Sequence, residues 1–115
     1  MTTTEAETEL LDGVCEPPMG TGEAAELAEV FQALGDPTRL RILSVLDTAC
    51  VPVGAIAQAT GLRQPSVSHH LRVLRDRGLV RPERRGAYTY YCASSEALRP
   101  TIDAARALLA DRSPR

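Results

Sequence analysis

Lysine and tryptophan are absent from the 115 residues, and the aromatic complement is only Phe31, Tyr88, Tyr90 and Tyr91. No apolar run approaches the roughly 18 to 20 residues that a membrane-crossing helix needs, so no membrane partner is expected. The opening segment MTTTEAETELLDG carries neither a basic nor an apolar stretch of the kind a secretory signal requires, which points to a cytoplasmic protein. Cysteine is scarce too: three residues, an odd number at irregular spacing, do not make a disulfide framework, and in a reducing compartment they are expected as free thiols. A phosphate-cradling glycine loop, a zinc-protease motif and a Ser-His-Asp order are all missing, so no enzyme and no organic cofactor are expected.

Positive charge is missing from one end. Residues 1 to 30 hold the acidic Glu5, Glu7, Glu9, Asp12, Glu16, Glu23, Glu26 and Glu29 and no basic side chain. All 13 cations, every one an Arg, fall in the remainder, where the acidic groups number seven, so the formal net charge of −2 hides a basic body. Between Arg63 and Arg85 seven Arg face only Asp76 and Glu83. Such a local excess suits a surface that meets a polyanion, and guanidinium can address phosphate and guanine edges bidentately.

The length fits one domain. Residues 1–21 lack a sustained period and contain Pro17, Pro18 and Gly20, which predicts a flexible N-terminal arm carrying Cys15, followed by a folded domain over 22–112. Ala24, Leu27, Val30, Phe31 and Leu34 recur at helical spacing before Gly35. Asp36-Pro37 reads as an N-cap followed by proline at the first helical position, opening a second helix to about Asp47 with Leu40, Ile42, Leu43, Val45 and Leu46 apolar. Past Cys50 and Pro52, a short helix from Val53 to Thr60 closes at Gly61, and another opens at Gln64-Pro65 and ends at Gly78. Two helices joined around a glycine are the helix-turn-helix pattern.

On the second of these, Val67, Leu71 and Leu74 form the stripe that must be buried. Gln64, Ser66, Ser68 and His69 can then meet base edges, and Arg63, Arg72, Arg75, Arg84 and Arg85 suit phosphate or the minor groove. His70, between Val67 and Leu74, reads as a buried structural imidazole. Leu79–Glu83 and Tyr88–Cys92 are β-prone runs around an Arg-Gly turn, and Ser94 or Ser95 is expected to cap a last helix carrying Leu98, Ile102, Ala105, Leu108 and Leu109. The fold class is mainly α with a small β-hairpin, in the order α-α-α-α-β-β-α.

Taken in order, Asp36-Pro-Thr-Arg39, the Gln64-Pro-Ser-Val-Ser-His-His-Leu71 helix start and the Arg84-Arg-Gly-Ala-Tyr-Thr-Tyr-Tyr91 hairpin resemble the ArsR/SmtB family of metal-sensing repressors over about residues 24 to 110. The resemblance implies a winged helix-turn-helix homodimer, joined through its first and last helices, that binds an inverted repeat in double-stranded operator DNA. It also implies a thiol site in which an arm cysteine of one protomer meets the start of the first helix of the helix-turn-helix on the other, positions that Cys15 and Cys50 match.

Thiolates select soft ions. The segment Cys50-Val-Pro-Val-Gly54 lacks the second cysteine that a four-thiolate cadmium or lead site takes from this region. The last helix, Leu98 to Ala110, offers only Asp103 and no histidine, so the interfacial zinc site that some members of the resembled family build from Asp and His on this helix is missing, and a zinc or nickel sensor of that type is disfavoured. Two or three sulfurs without histidine instead favour trivalent arsenic or antimony as inducer, held by Cys15 and Cys50. Cys92, which closes an alternating strand, reads as packed first and as a candidate third sulfur second. The rival readings are a repressor switched by a Cys15–Cys50 disulfide and a metal-buffering module that never touches DNA.

Overall fold

The computed structural model describes residues 17–47 and 49–112. Eight elements follow one another: α1 (Thr21–Leu34), α2 (Pro37–Val45), β1 (Val51–Pro52), α3 (Val53–Thr60), α4 (Gln64–Asp76), β2 (Val80–Arg85), β3 (Tyr88–Ala93) and α5 (Leu98–Asp111). Helix α1 therefore begins at Thr21, inside the stretch expected as arm, and takes in Gly22.

Asp36 does cap α2: its Oδ2 accepts a hydrogen bond from the Arg39 backbone N–H at 3.0 Å, with Pro37 at the first helical position. That hydrogen bond, with the nearby Arg39 charge, holds the Asp36 carboxyl below its ordinary range. Because the folded state lowers this pKa, the stabilisation is present above the unfolded pKa of about 3.9 and is lost as pH falls through the lower folded value. Asp36→Ala should thus lower the melting temperature at neutral pH, and the gap to the parent should close as pH falls below about 4. Thermal melts at the two pH values check this.

The core joins Ala33 and Leu34 of α1, Ile42, Leu43 and Leu46 from α2 and its end, Ile56 and Ala57 of α3, Val67, Leu71 and Leu74 of α4, Val80 of β2 and Leu98 of α5. The expected stripe on α4 is wholly buried. Two apolar faces, on the helices expected to join a dimer, lie open in the single chain. Leu27 is 38% and Phe31 57% exposed on α1, and Leu108 and Leu109 are 64% and 59% exposed on α5. Their helical period is real, but no element among the described residues covers them.

The hairpin is a three-stranded antiparallel sheet in the order β1-β3-β2. Strand β1 is a two-residue addition to the expected order, pairing Val51 with Tyr91 and Pro52 with Tyr90. Two residues, one of them proline, are too few for an alternating signal, and proline at a strand end costs no ladder hydrogen bond. Strand β2 runs on to Arg85, so Arg84 and Arg85 pair with Thr89 and Tyr88 rather than forming the turn, which falls to Gly86 in the left-handed region at φ 62°. Neither Ser94 nor Ser95 occupies the cap of α5. That position is Ala97, and the Ser95 hydroxyl accepts from the Ala97 N–H at 3.0 Å, stabilising the turn before the helix.

Candidate nucleic-acid interface and thiol site

The turn between α3 and α4 is held by short polar contacts. Thr60 donates its hydroxyl to the Ile56 carbonyl at 2.7 Å and accepts from the Leu62 N–H at 3.4 Å. Gly61 adopts φ 72°, which ends α3 and lets the chain turn within the three-residue link to α4. Arg41 reaches across from α2 to the Thr60 carbonyl at 2.8 Å, and Arg39 binds the Ala33 and Gln32 carbonyls at 2.7 and 3.2 Å. Both arginines satisfy helix-end carbonyls, Arg39 those of α1 and Arg41 that of α3, so they tie these helices to α2 instead of joining the outer charge of α4.

Helix α4 opens at Arg63 with no side-chain cap and no acidic residue in its first turn. Its N-terminal dipole end is left for an anion. Along it Arg63, Gln64, Ser68, His69, Arg72 and Arg75 are exposed and Ser66 is half-buried. Arg84 and Arg85 are exposed on the wing, but strand alternation sends them to opposite faces: Arg84 bonds the Gly86 carbonyl at 3.2 Å, and Arg85 turns to Glu83 at 3.1 Å and stacks over the Tyr90 ring at 4.7 Å. His69 is exposed. His70 is only half-buried, a correction to the expected core histidine, although its Nδ1 is enclosed without a hydrogen-bond partner among the described residues. That desolvation pushes its pKa down, favouring the neutral imidazole.

Cys15 lies outside the described residues. Cys50 and Cys92, by contrast, are joined by a disulfide with 4.3 Å between their Cα atoms, which corrects the expectation of three free thiols. The reason is the register. Val51 opposes Tyr91, so Cys50, the residue just before β1, comes to face Cys92, and residues facing each other across antiparallel strands stand at such a separation. Cys92 is 3% exposed and Cys50 is half-buried.

Glu83 completes the cluster. Its Oε2 lies 3.4 Å from Cys92 Sγ and 3.9 Å from Cys50 Sγ, and the three donor atoms fall within 4.8 Å of one another. Disulfide sulfur has no proton to donate; in the dithiol state either cysteine could hydrogen-bond this carboxylate. Arg85 Nε holds Oε1 at 3.1 Å and Arg81 holds Oε2 at 3.2 Å, and these two bonds keep the carboxyl below its ordinary pKa range. Nothing local in the sequence marks Glu83. Only the alternation of Arg81, Glu83 and Arg85, with Arg81 registered against Cys92, brings it to the sulfurs.

Comparison with known proteins agrees with this architecture. The family described as a helix-turn-helix domain matches residues 34–83. The chain is 45% identical over 74 residues to the HTH-type transcriptional regulator NmtR of Mycobacterium tuberculosis, covering 64% of this chain and 62% of that one, so the match spans less than two thirds of that relative. It is 35% identical over 74 residues to the transcriptional repressor SdpR of Bacillus subtilis, covering 64% of this chain and 82% of the relative. Among solved structures it resembles the homodimeric winged helix-turn-helix DNA-binding domain of a possible ArsR-family transcriptional regulator from Mycobacterium bovis. There the TM-score is 0.70 at 31% identity, over 84% of this chain and 91% of that one. These relatives are transcriptional regulators, not enzymes. With the uncapped α4, the paired wing strands and these similarities together, the chain belongs to the ArsR/SmtB family of winged helix-turn-helix transcriptional regulators.

Proposed function

We propose that the protein is a homodimeric, cytoplasmic repressor that holds an inverted-repeat operator through α4 and the wing and is released when a thiophilic metalloid, trivalent arsenic or antimony, binds its cysteines. The observation that carries the sensing half is the pairing of Cys50, just before β1, with Cys92 of β3, which gathers two of three sulfurs in one protomer. Cys15 from the N-terminal arm, of the same protomer or its partner, supplies the third. Three thiolates suit a small trivalent metalloid, whereas zinc or cadmium would ask for a fourth donor. No organic cofactor enters.

The exposed apolar residues of α1 and α5 support the dimer, since Phe31, Leu108 and Leu109 stand on the two helices expected at its interface. Exposed Gln64, Ser68, His69 and Arg72 around the uncapped start of α4 support base and phosphate contact. The test is an operator-shift titration of the reduced protein with and without arsenite. It should show a complex that dissolves as sulfur–arsenic absorbance saturates; no shift at low salt defeats the DNA half, and a shift indifferent to arsenite defeats the sensing half. Within the same assay Arg72→Ala should weaken binding across sequences and flatten the salt dependence by about one counterion if its guanidinium meets a phosphate.

A redox-switched repressor is the second reading, and the disulfide itself favours it, with Cys50–Cys92 as the pair in place of Cys15–Cys50. Oxidant acting without any metalloid separates the two. On the redox reading peroxide releases the operator in Cys15→Ser protein and fails to do so in Cys92→Ser protein.

A further inference from the structure

We infer that Glu83 is a metal ligand: with the reduced Cys50 and Cys92 it forms, within a single protomer, a two-sulfur, one-oxygen site for a divalent zinc- or cadmium-like cation, whose fourth position is left to water. The inference rests on the reading that these cysteines bind ions, but it needs neither the arm nor Cys15.

Around a tetrahedral zinc with sulfur at about 2.3 Å, neighbouring donors stand about 3.5 to 4 Å apart. Glu83 Oε2 already lies 3.4 Å from one sulfur and 3.9 Å from the other. Only the sulfur–sulfur separation has to change. Reduction by a dithiol supplies two electrons and two protons, breaks the S–S bond and leaves two thiols; a divalent cation then displaces those two protons as two metal–sulfur bonds form.

The surroundings of the carboxylate are those of a ligand held in place. Arg85 occupies Oε1, Arg81 shares Oε2, and a carboxylate oxygen keeps a further lone pair for a cation. Ligating carboxylates are commonly oriented by such outer hydrogen bonds. Arg85 is itself fixed over Tyr90, the residue that opposes Glu83 across the ladder. The ligand is therefore anchored to the wing strand, so occupancy of the site bears on the geometry of a DNA-facing hairpin as well as on the start of α3. A carboxylate donor also separates ion classes: a metalloid that takes three sulfurs draws on Cys15, whereas a divalent cation accepts the oxygen.

The experiment uses full-length Cys15→Ser protein, reduced with a phosphine under argon and titrated with cadmium alone, reading thiolate-to-cadmium absorbance and competition by a chelator. One ion per protomer is expected. Glu83→Gln keeps the size of the side chain and an acceptor for Arg85; it should weaken cadmium binding by at least about tenfold, the least that losing even an outer partner of a ligand costs, while absorbance per bound ion stays constant. Cys50→Ser should reduce that absorbance. If Glu83→Gln binds cadmium as tightly as its parent, or if its absorbance per bound ion falls, the ligand role is overturned, the second result showing that Glu83 only positions the sulfurs. Absence of binding in the Cys15→Ser parent overturns the site as a whole. Arsenite release, which depends on Cys15, is scored separately on the unmodified chain, so either reading can fail alone.

Discussion

Replacing Cys50 with serine should leave the operator affinity of the reduced protein unchanged and abolish its loss on adding arsenite. Serine preserves the size of the side chain, but its hydroxyl does not ionise near neutral pH and is no ligand for a soft centre. Cys50 is half-buried at the edge of β1, so the swap strands no deeply buried hydroxyl; Cys92, at 3% exposure, would be the less clean choice, although Glu83 Oε2 stands close enough to accept from a serine there. A hundredfold release by arsenite requires a coupling of about 2.7 kcal/mol between the two sites. Losing one of three sulfurs should remove nearly all of it. Cys15→Ser should act alike, and operator-binding isotherms with and without arsenite measure both. If the two variants let go as the parent does, the sulfur assignment is wrong and the DNA-binding assignment stands.

The other large effect lies in the core. Leu71 is fully buried on α4 between Val67 and Leu74, in one cluster with Ile42 of α2, Ile56 of α3 and Val80 of β2. Leu71→Ala should cost about 2 to 5 kcal/mol, the range for a leucine deleted from a packed interior. Against a total of about 5 to 15 kcal/mol for a small domain, that leaves the helix-turn-helix marginal. Urea unfolding should show a clearly lower midpoint with a similar slope. Protein concentration must be held constant, because the stability of the proposed dimer would depend on it. A midpoint unchanged by the substitution would mean that α4 does not rest on this stripe. Operator affinity should fall in parallel, since the exposed face carrying Gln64, His69 and Arg72 is held only by the buried one.

The division between legible and hidden features follows the range of the interaction involved. Local signals sufficed for the helices. Asp36-Pro37 marks the start of α2 because a carboxylate accepts a backbone N–H three residues on, and Gly61 marks the helix-turn-helix because a residue at φ 72° ends α3. The stripe Val67, Leu71 and Leu74 is written in 3.6-residue spacing, and its burial matches. The polar residues opposite that stripe, and hence the candidate DNA face, were readable for the same reason.

What the sequence by itself determined was the succession of helices, the winged helix-turn-helix class and the arginine-rich stretch from Arg63 to Arg85. The tertiary structure alone decided which sulfurs are neighbours. Cys50 and Cys92 are 42 residues apart, joined through a two-residue strand that carries no periodic signal, and Glu83 reaches them only through the β2–β3 register. A residue's own neighbours report its preferred dihedrals and which way it faces, whereas partners across a sheet are set by how distant strands align. That alignment is a global minimum with no local mark.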